Sequence, residues 1–235
     1  MKWTHSTRAV SRQGFTLVEL LVVVGIIGIL ASLLLPAMAK AKERAKGIKC
    51  VSNLRQINLG LMLYASDHDD QLPPRTGGEN WTKRLYPYYQ TVAVLKCPSD
   101  ENGTRRSYVI NGWNDYFEET LSEEDYETYR KWKWPQGMKL GAIKETSETV
   151  TFGEKKTESM HVHMDFSQGR GNDVEELEQG RHGGKPGSRA GSSNYGFADG
   201  SVRPLGYGQS ITPVNLWATT DKWRHAPPVP LEMID

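Results

Sequence analysis

The chain has 235 residues, 37% of them hydrophobic, and a formal net charge of +1 at pH 7. This length suits one modest domain with an anchor. The charge is uneven: residues 1–14 carry +3, residues 15–49 carry another +3, and residues 50–235 carry −5. Nucleic-acid binding requires a basic surface, so the acidic remainder predicts that nucleic acid is not a partner.

Residues 20–39 form an uncharged apolar stretch, LLVVVGIIGILASLLLPAMA. At about 1.5 Å per residue, a helix of this length spans roughly the 30 Å of a hydrocarbon core. A secretory signal peptide has a shorter apolar region before a small-x-small cleavage site. Ala37-Met38-Ala39 offers such a site, but Pro36 stands beside it and the residues before the stretch indicate a different processing signal.

Residues 12–20, RQGFTLVEL, resemble the signal that prepilin peptidases read: a short basic leader, a glycine, then Phe-Thr-Leu-x-Glu opening a long apolar helix. In this the chain resembles type IV prepilins and type II secretion pseudopilins. The resemblance implies cleavage between Gly14 and Phe15 on the cytoplasmic side, and N-methylation of the new Phe15 amine. Because glycine has no Cβ, Gly14 lets an enzyme approach the backbone closely.

Glu19 lies inside the predicted membrane helix, four residues after Phe15. An ionised side chain costs about 2.5–3.5 kcal/mol at the centre of a bilayer, and less near its edge. One interpretation is that Glu19 snorkels to the interface. The resemblance to pilins implies another, in which Glu19 pairs with the Phe15 amine of a neighbouring subunit and fixes the axial stagger during assembly. We favour the pairing, because the cleavage signal accompanies this residue.

The resemblance also sets the orientation of the span. Three Lys and Arg residues precede it and five follow closely, which by charge alone would place the C-terminus inside. Prepilin processing requires the opposite: a single-pass protein of the inner membrane with its N-terminus cytoplasmic and its body periplasmic. Cys50 and Cys97 are an even number of cysteines, which suits an oxidising compartment and predicts a disulfide.

Beyond the span, apolar residues recur at spacings of three and four, which predicts that the helix continues and packs one face on the body. This stripe comprises Ile48, Val51, Leu54, Ile57, Leu61 and Tyr64. Pro73 and Pro74 cannot extend a helix. The predicted organisation is a leader at 1–14, a long helix at 15–66 with its transmembrane part at about 17–39, and a periplasmic body with a loop-rich C-terminus at 67–235.

The body has the pattern of an α+β fold, and we expect a pilin-like arrangement in which the long helix packs on a small antiparallel sheet. Residues 93–95, 108–110 and 149–153 are predicted strands, and residues 81–89 and 115–133 are predicted helices. Asp199-Gly200 predicts a hairpin, because this pair supplies the positive φ angles of a tight turn.

Segments 50–57, 64–73, 96–100 and 197–202 resemble a large group of pilin-like proteins that carry a C-terminal His…Asp-Gly segment. In that group nine residues separate the histidine from Asp-Gly. Here sixteen residues separate His182 from Asp199, and the excess lies in the Gly- and Ser-rich residues 183–193. The chain therefore departs from the group's pattern at this point.

His161, His163 and Asp165 are the candidate metal ligands of an enzyme, because His-x-His-x-Asp places ligands on one side of a loop in metallo-hydrolases of the β-lactamase fold. Those enzymes have a histidine directly after the aspartate and an αββα pattern, and this chain has neither. We favour a strand whose polar residues alternate toward solvent.

Asp67, Asp69 and Asp70 are hard oxygen ligands of the kind that calcium prefers. The glycine and the distal glutamate of an EF-hand loop are missing from this segment, so we favour a solvated acidic loop.

The sequence thus predicts a structural subunit and not an enzyme: a pilin or pseudopilin of a type II secretion or type IV pilus-like filament. Its expected partners are prepilin peptidase, other pilin subunits and the inner membrane, and we expect no cofactor, with calcium as the alternative. A different function is a membrane-anchored periplasmic binding module, for example for carbohydrate, that uses the seven tryptophans and ten tyrosines. A filament subunit self-assembles and a binding module does not, so a test of self-assembly distinguishes the two functions.

Overall fold

The computed structural model describes residues 15–102, 106–165, 172–184 and 189–226. The chain forms two compact units, Met1–Lys42 and Glu43–Asp235. The predicted leader at 1–14, with Gly14 at its end, lies outside the described residues.

Helix α1 (Leu17–Asp67) has 51 residues and confirms the predicted long N-terminal helix. It begins with a capping box, in which Glu19 N donates to Thr16 Oγ1 at 3.3 Å and Thr16 N donates to Glu19 Oε2 at 2.9 Å. It ends where Asp69 and Asp70 adopt positive φ angles of 52° and 65°. Its end at Asp67 is one residue beyond the predicted boundary.

The part of α1 in the second unit packs one face into the core of the body. Leu54, Ile57, Leu61 and Tyr64 are buried, as the apolar spacing predicted, whereas Ile48 is 71% exposed. The buried face therefore begins at Cys50, two residues later than the predicted stripe.

Five strands form one mixed sheet in the order β3-β1-β2-β4-β5. They are β1 (Tyr108–Asn111), β2 (Val150–Glu154), β3 (His163–Met164), β4 (Ser192–Phe197) and β5 (Val202–Gly206). Pairing is antiparallel, as predicted, except between β1 and β3, which are parallel. The reason is that the chain reverses after β2 and returns along the far edge of β1. The hairpin predicted at Asp199-Gly200 is the β4–β5 connection.

Short helices surround the sheet: α2 (Trp81–Arg84), α3 (Tyr86–Tyr89), α4 (Asn114–Thr120), α5 (Glu123–Arg130) and α6 (Asp221–Arg224). The helices predicted at 81–89 and 115–133 are each divided into two. The strand predicted at 93–95 is wrong, because Val92–Leu95 forms a 3₁₀ turn. Thr91 caps this turn by accepting a hydrogen bond from Ala93 N through its side chain.

The two faces of the sheet carry separate hydrophobic clusters. The buried face of α1 packs in one of them with Ile110 and Phe152. The other contains Val109, Val150 and Trp217. Alternation in β1 places Val109 and Ile110 on opposite faces. Val150 and Phe152 should share a face, but a register shift between them in the pairing with β4 turns them apart.

The packing of α1 predicts that two Leu→Ala substitutions on the same helix change the free energy of unfolding by very different amounts. Leu54 is fully buried and Leu59 is 57% exposed. We expect Leu54→Ala to lower the free energy of unfolding by about 2–5 kcal/mol, because it leaves a cavity in the core. Leu59→Ala makes the same chemical change at the surface and should alter it by less than about 0.5 kcal/mol. Thermal denaturation of both variants in detergent, followed by circular dichroism, measures this; equal losses would contradict the packing.

Candidate functional site

The N-terminal part of α1 presents an apolar surface in the first unit. Every side chain from residue 15 to residue 42 is exposed, with Phe15 at 71% and Leu17 at 77%. Within the described residues, α1 is the one helix long and apolar enough to cross a membrane. A surface of this size is stable only against lipid or other apolar surfaces. These features fit a single-pass membrane anchor.

Glu19 lies at the start of this surface and bonds within its own chain. Glu19 Oε2 accepts hydrogen bonds from Thr16 N at 2.9 Å and from Thr16 Oγ1 at 2.7 Å. The predicted partner, the Phe15 amine of a neighbouring chain, requires a second copy. The pairing therefore stays a prediction, as do cleavage after Gly14 and methylation of Phe15.

Cys50 and Cys97 meet in the interior of the second unit. The structure records both as free cysteines, so the predicted disulfide is not formed there and stays a prediction. Cys50 Sγ lies 2.6 Å from Glu154 Oε1 and 3.1 Å from Tyr108 Oη. Cys97 Sγ lies 3.7 Å from His182 Nε2.

Glu154 and His182 complete a cluster with these cysteines, which we call the Cys₂-Glu-His cluster. His182 Nε2 lies 2.9 Å from Glu154 Oε1, and the four ligand atoms all lie within 4.8 Å of one another. Within the described ranges, no other three or more His, Cys, Asp or Glu side chains converge in this way. His182 thus faces Glu154, while Asp199 lies in the β4–β5 turn, where its Oδ1 accepts from Ser201 N.

Sequence reasoning found three members of the cluster but not their association. The even number of cysteines predicts a disulfide between Cys50 and Cys97, and His182 is notable for its spacing to Asp199. Glu154 carries no signal of its own in the sequence, because it is one of 28 acidic residues and directly follows the strand predicted at 149–153. Only the register of β2 brings it to Cys50.

Mutual hydrogen bonds set the charges in the cluster. Burial would raise the pKa of Glu154, but hydrogen bonding to His182 and the nearby Arg181 hold it below its ordinary value. Burial would lower the pKa of His182, but its bonds to Cys97 and Glu154 raise it to about 10. The bond to Cys50, together with His182, lowers the pKa of Cys97 to about 7. Burial raises the pKa of Cys50.

The residues of the His-x-His-x-Asp motif have other partners. Asp165 Oδ2 pairs with Arg75 at 2.5 Å, and His161 Nδ1 lies 3.0 Å from Asp173 Oδ1. They line a cavity of about 320 Å³ with His163. The expectation that polar residues of this strand face solvent is wrong for His163 and Asp165, which are 8% and 4% exposed. The reason is that the Trp132 ring packs against His163 and the buried Arg75 pairs with Asp165.

Two of the three acidic residues at the end of α1 serve as hydrogen-bond acceptors. Asp67 Oδ2 accepts from Tyr88 Oη at 3.0 Å, and Asp70 Oδ2 accepts from Gly141 N at 2.8 Å. Asp69 is exposed. These contacts place Asp67 and Asp70 in the turn that ends α1.

Comparison with known proteins gives matches at both the motif and the chain level. Residues 10–35 match the prokaryotic N-terminal methylation motif. Type II secretion system core protein G of Escherichia coli (strain K12) is 44% identical over 111 residues, which cover 46% of this chain and 73% of that protein. The protein of the same name from Klebsiella michiganensis is 41% identical over 124 residues, covering 50% and 87%.

Competence protein ComGC of Halalkalibacterium halodurans is also similar, with 39% identity over 99 residues that cover 42% of this chain and 89% of that protein. No solved structure matches the chain. The names of these relatives describe secretion and competence proteins and not enzymes.

The matched motif lies where the sequence predicted prepilin processing, and it includes most of the exposed apolar surface of α1. The matches extend over most of the length of the three relatives. The chain belongs to the type II secretion system core protein G family, and it is a pilin-like subunit of the pseudopilin kind.

Proposed function

We propose that this chain is made as a prepilin, cut between Gly14 and Phe15 by prepilin peptidase, methylated at Phe15, and assembled into a filament of the type II secretion kind. Before assembly it is held in the inner membrane by residues 17–39, with the leader in the cytoplasm and the body in the periplasm. One observation carries the proposal: the apolar side chains of the first unit are exposed along the whole segment that the methylation motif opens.

Assembly has a physical driving force in this surface. A helix that leaves the bilayer cannot leave its apolar side chains in water, since each buried CH₂ group contributes about 0.8 kcal/mol. Neighbouring copies of the same helix, or helices of other pilin subunits, offer an equally apolar environment. The filament partners of the chain are therefore other subunits with the same kind of N-terminal helix.

Glu19 fixes the axial register between neighbouring subunits. It is the one charged side chain among residues 15–39, and it would be buried among apolar helices in a filament. A carboxylate accepts about four hydrogen bonds, so the cap at Oε2 leaves capacity for a second partner. Phe15 and Glu19 are four residues apart, about one turn of helix. If the next subunit is shifted along the axis by about one turn, its methylated Phe15 amine, which is a cation, lies beside Glu19. The pair forms at a single axial stagger.

A binding module that stays monomeric is the less favoured function. It would leave unexplained why the anchor begins with a methylation motif and why the relatives that share the chain's pattern include secretion system core proteins.

The first prediction concerns processing. Mass spectrometry of the membrane-extracted protein should find an N-methylated Phe15 as the first residue and no trace of residues 1–14. Gly14→Val should block cleavage, because a branched side chain prevents close approach to the bond that is cut. Gly25→Val is the matched control, since a side chain at Gly25 meets nothing within 4 Å, and it should be cut normally.

A mature chain that begins at Met1 would overturn the prepilin assignment. A start near Lys40 would instead identify a cleaved signal peptide, and the membrane anchor would be lost with it.

The second prediction concerns Glu19. Glu19→Ala should insert and be cleaved as the parent is, because it removes a charge from the apolar segment. It should fail to assemble, since the partner amine of a neighbouring Phe15 then lacks a counter-charge, at a cost of roughly 3–5 kcal/mol per pair. Crosslinking in membranes should show processed monomers and lost multimers.

Two further variants separate charge from capping. Glu19→Gln keeps an oxygen that can accept from Thr16 but has no charge, and it should also fail to assemble. Glu43→Ala removes an exposed acid of the same helix that pairs with Lys46, and it should assemble normally. Unchanged multimers in both Glu19 variants would mean that this side chain only caps α1 or snorkels.

A further inference from the structure

The Cys₂-Glu-His cluster has no part in the assembly of the N-terminal helix. Its members come from four separate parts of the body: Cys50 from α1, Cys97 from the loop after the 3₁₀ turn, Glu154 from the end of β2, and His182 from the loop before β4. Cys50, Cys97 and Glu154 are 0% exposed, and the His182 side chain is 13% exposed. Four ligand atoms converging from four elements in a closed interior are the usual arrangement of a structural metal centre.

We propose that these four side chains bind one divalent, thiophilic metal ion, zinc above all, through Cys50 Sγ, Cys97 Sγ, Glu154 Oε1 and His182 Nε2. Two sulfur donors, one imidazole and one carboxylate are the donor types that zinc takes in tetrahedral sites, whereas magnesium and calcium require oxygen ligands alone.

The distances suit an ion at the centre of the four. Zinc–sulfur bonds of about 2.3 Å and zinc–nitrogen or zinc–oxygen bonds of about 2.0 Å give tetrahedral edges of about 3.3–3.8 Å. The separation between Cys97 Sγ and His182 Nε2 is 3.7 Å, which lies in this range. Glu154 Oε1 lies 2.6 Å from Cys50 Sγ and 2.9 Å from His182 Nε2, so these contacts widen by about 0.5–1 Å when the ion enters.

The ligands are held in place by their own neighbours. Asn194 N donates to Glu154 Oε2 at 3.2 Å, which leaves Oε1 directed at the cluster. The backbone N–H and C=O of His182 both pair with Ser192, at 2.8 and 2.9 Å. Cys97 N donates to Ser107 Oγ at 3.0 Å. Such outer contacts orient the ligands of protein metal sites and keep the cost of ordering them low.

The surrounding charges also suit a dication. Two thiolates and a carboxylate bring three negative charges into the interior, and a zinc ion balances two of them. Arg181, whose side chain is 2% exposed, lies 3.9 Å from Glu154 Oε2 and supplies a third positive charge. Arg181 also pairs with Asp100 at 3.1 Å, and Asp100 has the buried Lys155 nearby. With His182 neutral as a ligand, the ion, its four ligands, Arg181, Asp100 and Lys155 together carry no net charge, which lowers the cost of burying ionised side chains.

A centre of this kind has all four positions filled by protein and leaves none for a substrate, so its role is structural. It joins α1 to the sheet at the point where the buried face of the helix begins. The alternative state of the two cysteines is a disulfide, which excludes them from binding an ion in this way. The state of the thiols therefore decides between the two.

The test uses the full mature chain, extracted from membranes in detergent without chelators. Elemental analysis should find about one zinc ion per chain. Exchange of zinc for cobalt should produce the intense thiolate-to-cobalt charge-transfer absorption together with the visible bands of a tetrahedral ion. Removal of the ion should lower the midpoint of thermal unfolding, and added zinc should restore it.

Single variants identify the ligands. Cys97→Ser and His182→Gln should each weaken zinc binding at least about 100-fold, since even the loss of an outer contact costs 10–100-fold. The matched control is His161→Ala, which removes a histidine from another part of the body and should leave the zinc content unchanged. Circular dichroism verifies that each variant is folded. If a cysteine variant fails to fold, the metal content and the cobalt spectrum of the parent chain still show whether the cluster binds a metal ion.

Two results would overturn the proposal. One is a folded parent chain that retains less than about a tenth of an equivalent of zinc after incubation with an excess of it. The other is a Cys50–Cys97 disulfide found by mass spectrometry in protein taken from native membranes with free thiols blocked. Neither result bears on assembly through Glu19, so the filament function and the metal centre fail independently.

Discussion

The structure depends on one helix, α1, whose first part exposes apolar side chains and whose second part buries them in the body. Up to residue 42 every described side chain of α1 is exposed, and from Cys50 onward one face of the same helix is buried in the body. The hydrophobic effect makes the same demand on both parts, namely that apolar surface leave water. The second part meets it within the chain. The first part meets it only with lipid or with other subunits, and the function of the protein follows from that.

Polar contacts fix the buried half of α1 at one position on the sheet. Asn58 lies among apolar side chains, where its Nδ2 donates to Phe197 O at 2.6 Å and its Oδ1 accepts from Thr151 Oγ1 at 2.8 Å. Asn53 Nδ2 donates to Lys96 O at 2.8 Å. Unpaired amides at these places would be costly, so a helix displaced along its axis is disfavoured. These bonds hold the second half of α1 and the sheet in one position relative to each other.

The sequence predicted those features of the structure that depend on a pattern of neighbouring residues. The twenty-residue uncharged stretch and the three-and-four spacing through Tyr64 both predict the long helix, because each is a pattern of residues close together in the chain. Pairings between distant segments have no such pattern. The parallel contact of β3 with β1, the burial of Asp165 against Arg75, and the meeting of Glu154 with Cys50 arise from strand register and loop paths. Local spacing contains no information about these.

We propose that other copies of α1 cover its exposed apolar half. Electron cryomicroscopy of the processed chain, produced together with the assembly components of a type II secretion system, tests this most directly. We expect continuous filaments in which residues 15–39 of successive subunits fill the axis and the bodies lie outside. A processed chain that remains monomeric in the membrane, with no filaments in the presence of those components, would contradict it.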